Sequence, residues 1–123
     1  MSTVIAVAVG GAAGSLLRYA TSLLVPDTAT SFPWSTLIVN VIGCGLLGLF
    51  LGFADARWTL SSELRSFVSI GLFGGFTTFS AFGTQTLALW QNGRGFVAAI
   101  NIILSVGLGL AAAWAGWRIA TSA

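Results

Sequence analysis

Four apolar runs dominate the chain: Val4 to Val25, Ser35 to Phe53, Leu64 to Trp90 and Phe96 to Trp117. A helix needs roughly 20 apolar residues to cross the hydrocarbon core of a bilayer. Each run is close to that length or longer. Lipid offers the backbone no hydrogen-bonding partner, so such runs fold as helices that satisfy themselves. The expected fold is therefore an all-α membrane protein with four transmembrane helices. The connections are short and polar: Pro26 to Pro33, Ala54 to Glu63, and the turn Gln91-Asn92-Gly93-Arg94-Gly95. Little sequence remains outside these parts, and residues 1–123 read as a single four-helix transmembrane domain. Charged residues make up only 7% of the chain, against about 25% in soluble domains. Met1-Ser2-Thr3 lacks the basic start of a cleavable signal, so the first run is expected to remain in the protein.

The third run contains the stretch that fits a membrane helix least well: Gly71-Leu72-Phe73-Gly74-Gly75-Phe76-Thr77-Thr78-Phe79-Ser80-Ala81-Phe82. Paired glycine and paired β-branched threonine are both poor helix formers. A break near the middle of the third helix is predicted here. Broken backbone at membrane depth must be satisfied by neighbours or line a cavity. Its free carbonyls suit a cation, and its free N–H groups suit an anion. The alternative is a glycine kink that only lets helices pack closely. Phe79 and Phe82 are three apart and share a helix face.

Other polar residues inside the apolar runs also need partners. Thr36 and Asn40 are four apart on one face of the second run, and Asn101 and Ser105 are four apart in the fourth. Asn40 reads either as glue between helices or as a donor to a ligand. Arg18 and Tyr19 lie near the far end of the first run. Arg18 either snorkels to the interface or meets a partner there. Gly10 and Gly14 form a small-residue pair, and Cys44, Gly48 and Gly52 repeat every four residues, with Gly45 beside them. Cys44 reads as a small packing residue. Ser61-Ser62-Glu63 has the composition of a helix N-terminus.

Asp27, Asp55 and Glu63 all fall in loops or at a helix start, and the chain has no histidine and one cysteine. General acid–base and nucleophilic catalysis lack their usual groups inside the membrane, so no enzyme is expected. A protein-built metal site of the zinc type is not expected either. Proton-coupled cation export generally uses an intramembrane carboxylate, and none is present. The remaining interior groups are hydroxyls, amides and aromatic edges, whose ring hydrogens carry positive partial charge. Such a set suits a small anion, though the same groups also serve as helix glue. The arginines form no basic patch, and no nucleic-acid partner is expected. Four spans place Arg57, Arg65 and Arg118 on one side, and Arg94 and Arg18 on the other. That near balance gives the positive-inside rule little to act on. Insertion both ways, with an inverted copy as partner, competes with a small preference for termini-in. Four helices enclose little alone, so a pathway would call for an oligomer.

Three stretches resemble the Fluc fluoride channels of prokaryotes. They are Gly10-Gly11-Ala12-Ala13-Gly14-Ser15-Leu16-Leu17-Arg18-Tyr19, then Thr36-Leu37-Ile38-Val39-Asn40-Val41-Ile42-Gly43, then the Gly71 to Phe82 stretch. The fourth run is similar by length and polarity only. The resemblance implies a fluoride-selective channel that exports the ion passively from the cytoplasm, embedded in the lipid of the cell inner membrane as a multi-pass protein. It implies an antiparallel, dual-topology homodimer with two pores. It implies that Phe79 and Phe82 face the fluoride ion and that Asn40 is the pore amide. Thr36, Ser80 and Ser105 would fall on the polar side of the pathway. A structural sodium ion would be held by the backbone carbonyls of Gly74 and Thr77. Arg18 would stand at a pore vestibule or make a helix-end contact. Ala81, Gly83 and Gln85 depart from the hydroxyls and the glutamate that many members have. A small multidrug-type transporter would need a carboxylate in the first run, which has none. A non-transporting membrane assembly subunit would explain the glycines but not the set of Asn40, Phe79 and Phe82.

Overall fold

The computed structural model describes residues 2–122. Among them every regular element is helical: α1 (Ser2–Leu24), α2 (Trp34–Ala56), α3 (Ser62–Ser66), a π-helical segment (Phe67–Leu72), α4 (Phe73–Phe76), α5 (Phe79–Gln91) and α6 (Gly95–Ser122). The third span is composite, running from α3 to the end of α5. With α1, α2 and α6 it makes four helical stretches long and apolar enough to cross a membrane. The chain is a multi-pass membrane protein.

The ends of the elements follow from local chemistry. Ser61 caps the third span by accepting from the Leu64 N–H. Glu63 sits in that first turn, where a negative charge meets the exposed N–H groups, and it accepts from the Ser2 hydroxyl. The α2 start has no side-chain cap of its own at Pro33. Asp27 reaches across the loop instead and accepts from the Ser35 hydroxyl at 2.6 Å and its N–H at 3.4 Å. The loop before α2 is thus folded onto the helix it precedes. Gly93 makes the last turn with φ of 74°, a left-handed conformation that glycine adopts without strain. The fourth span continues past Trp117 to Ser122, where the Thr121 and Ser122 hydroxyls bond back to the Trp117 and Arg118 carbonyls.

Two close pairings build the monomer. Helix α2 lies along α6 through small residues. A side chain on Gly48 would strike the Ala113 carbonyl, and one on Gly116 would strike the Gly45 carbonyl. Helix α1 lies along the π-helical segment and α4 in the same manner. A Cβ on Gly75 would stand 2.6 Å from the Gly11 carbonyl oxygen, and one on Gly14 would overlap that of Leu72. Without a hydrophobic drive between helices in lipid, such backbone approach supplies the packing.

The third span is interrupted as expected, but by its threonines. Gly74 and Gly75 remain helical within α4. Thr77 and Thr78 are extended, with ψ of 159° and 121°. The span bends by only 16° in all. Of the glycine pair, Gly75 admits α1, while the break itself falls two residues later. The π-helical turn just before it was not legible in the sequence. It packs against α1 through Gly71, on which a Cβ would meet the Val7 carbonyl oxygen at 2.8 Å.

Candidate functional site

Ending α4 at Phe76 deprives its last carbonyls of partners. Thr77 closes the last turn with two donors on the Phe73 carbonyl, its N–H at 3.0 Å and its hydroxyl at 2.8 Å. Arg18 reaches from α1 and donates its Nε–H to the Gly75 carbonyl at 3.2 Å. A cation at a helix C-terminus is favourable, and more so where water is scarce. The carbonyls of Gly74, Phe76 and Thr77 accept no hydrogen bond from the described residues. Gly74 lies exposed at the molecular surface and Thr77 is half-buried.

Asn40 holds the other side of the break. Its Oδ1 accepts from the Thr78 N–H at 2.8 Å, and its Nδ2 donates to the Thr78 carbonyl at 3.0 Å. The amide oxygen thereby replaces the helical acceptor that the Thr78 N–H has lost, and the amide N–H adds a second donor to a carbonyl that, at the N-cap, already accepts the first bond of α5. A primary amide has two N–H groups, and this tie uses one. The second has no partner among the described residues. Gly43 on the same helix leaves room for the Thr77 side chain, which a Cβ there would overlap. Thr78 in turn caps α5, its hydroxyl accepting from the Ala81 N–H.

A cavity of about 240 Å³ opens at the break, with Asn40, Cys44, Thr77, Thr78, Phe79, Phe82 and Ser105 among its lining residues. The Phe79 and Phe82 rings lie 5.6 Å apart between centroids, tilted by 47°. Phe79 is 80% exposed on the monomer, so the cavity is open at that residue. A second cavity, of about 180 Å³, has Arg18, Tyr19, Ser22, Ser35, Thr36 and Gln85 among its lining residues. Thr78 lines both.

Of the residues singled out in the sequence, Asn40, Phe79, Phe82 and Ser105 meet in the first cavity. Thr36 is buried and belongs to the second, with Arg18. Arg18 both lines that cavity and contacts the helix end. Ser80 lines neither cavity; its exposed hydroxyl lies 3.2 Å from that of Thr78. Three further residues matter. Thr78 joins the two cavities and holds Asn40. The Gln85 Oε1 is buried beside the second cavity without a hydrogen-bond partner. Asn101, 1% exposed, links Ser105 to Thr86. Its spacing to Ser105 marked it as polar, but its tie to Thr86 crosses the α5–α6 turn and leaves no periodic signal.

Chemically, the first cavity is lined by an amide, two aromatic rings and hydroxyls, with no carboxylate among its lining residues. The second offers a guanidinium with only its Nε engaged. The sequence matches the family described as CrcB-like protein, camphor resistance (CrcB), over residues 5–117. It is 43% identical over 121 residues to the fluoride-specific ion channel FluC of Flavobacterium psychrophilum, covering 98% of both chains. It is 46% identical over 124 residues to the protein of that name in Paramagnetospirillum magneticum, covering 98% of this chain and 97% of that one. The Geobacter sulfurreducens protein of that name is 45% identical over 117 residues, 94% of each.

Proposed function

This chain belongs to the CrcB-like family, and from that we infer that it is a fluoride-selective channel of the plasma membrane, letting the ion leave the cytoplasm passively. It is not an enzyme on this reading. The observation that carries it is the first cavity, which Asn40, with an N–H left over from its tie to Thr78, lines together with Phe79 and Phe82. Fluoride is small and strongly hydrated, so a path for it must replace water with donors. An amide N–H and polarised ring edges do this without the tight grip of a positive charge. The arginine stays one cavity away, where it raises the local anion concentration.

The working unit is an antiparallel homodimer with two pores. Support comes from the near-balanced arginines and from the open side of the cavity at Phe79, which lipid alone would leave unfinished. Thr36, Ser80 and Ser105 take the polar side of the path, with Ser80 acting through the Thr78 hydroxyl. A structural sodium ion fits the freed carbonyls of Gly74 and Thr77, since hard cations take oxygen ligands and these oxygens have no donor. When bound, it supplies a fixed positive charge near the break.

The reading is tested in a bacterial strain stripped of its own fluoride export. Expression of this chain should restore growth in fluoride-containing medium. Equal sensitivity with and without the protein, at verified membrane expression, would refute it.

A further inference from the structure

A chain of hydrogen bonds runs behind the first cavity, and its direction is fixed at one end. The Phe82 carbonyl can only accept. The Thr86 Oγ1 lies 2.6 Å from it, so the single Thr86 proton is committed there. The Asn101 Nδ2 then donates to the Thr86 oxygen at 2.9 Å. This leaves the Asn101 Oδ1 facing Ser105, 3.1 Å from its Oγ. That oxygen only accepts, so the Ser105 proton points at Asn101. Turning the amide over would bring the Asn101 and Thr86 oxygens together. One close oxygen–oxygen contact would then lack a proton, whichever way the threonine pointed. At 1% exposure, no bulk water relieves such a contact.

We propose that Asn101 is a positioning residue that turns the Ser105 proton away from the ion path, so that Ser105 faces the pore as an acceptor and holds water rather than fluoride. The inference rests on the fluoride-channel reading. Ser105 lines the cavity with Asn40, Phe79 and Phe82. With its proton engaged, its lone pairs repel a bare anion and accept from a water, whose other O–H can face the ion. The ion is thus stripped on the amide-and-ring side and stays hydrated on the α6 side. Conduction needs binding weak enough for release, and withholding one donor weakens it.

The test follows the side-chain amide signals of the wild-type dimer by NMR during fluoride titration, alongside its flux in liposomes. The Asn40 signals should move on fluoride binding while those of Asn101 stay in place. Movement of Asn101 matching that of Asn40 would show the Ser105 proton turning to the ion, and would overturn the proposal. Absence of fluoride flux in the wild type would defeat the channel reading itself. In Asn101→Leu the Ser105 proton is released to the pore. Its half-saturating fluoride concentration should fall roughly tenfold, as one hydrogen bond to a charged group gives. Adding Ser105→Ala should abolish that gain; a gain that survives without the hydroxyl contradicts the mechanism.

Discussion

Asn40 serves as the inter-helix tie that its sequence position allowed, and we propose that it also donates to the ion. The amide ties the break to α2 through Thr78 and still has an N–H for the cavity. Asn40→Ala should therefore lose both fluoride flux and stability. The Thr78 N–H would be left unpaired, at about 1–3 kcal/mol where water does not reach it, while the Thr78 carbonyl keeps the first intrahelical bond of α5. Thermal unfolding of the detergent-solubilised protein reads the loss, and an unchanged unfolding temperature would show the tie to be dispensable. Residues of this kind are legible when they are polar and stranded in an apolar run, as Asn40 and Ser105 are. The tie between Asn101 and Thr86 is not, because it depends on how α5 and α6 fold back across the Gly93 turn.

The third span shows how an element divides labour among adjacent residues. Its glycines and threonines together announced a break, and composition could not assign their separate parts. Contact with α1 does so. A Cβ on Gly75 would meet the Gly11 backbone at 2.6 Å, whereas the nearest atom to one on Gly74 is 3.9 Å away. Gly75→Ala should accordingly destabilise the protein by about 1–3 kcal/mol, as overpacking against backbone does. Gly74→Ala should leave the fold intact. Parallel unfolding curves of the two variants check this, and equal stability would mean that α1 is free to move aside. The π-helical turn had no sequence signature of its own, although its buried Gly71 lies against the α1 backbone at Val7 and Gly10. Span ends were legible to within a few residues, except at the C-terminus, where Arg118 did not stop α6.

At the scale of the molecule, much of the apolar surface faces outward, as lipid and a second copy both require. The balanced arginines predict that a C-terminal tag is accessible from both sides of the membrane in intact cells, and labelling from one side only would contradict the inverted dimer. If sodium occupies the Gly74 and Thr77 carbonyls at its centre, prolonged sodium removal should abolish fluoride flux, with neither lithium nor potassium restoring it. Unchanged flux after verified depletion would leave those carbonyls to water. The central claim, passive and selective fluoride conduction, meets its most direct test in liposomes loaded with potassium fluoride or potassium chloride. A passive channel moves net charge, so fluoride should leave rapidly only once a potassium ionophore carries the countercharge. Chloride should be retained, and Phe82→Ile, which keeps bulk but lacks the ring edge, should hold fluoride back. Fluoride loss that ignores the ionophore, or chloride loss at the same rate, would contradict the account.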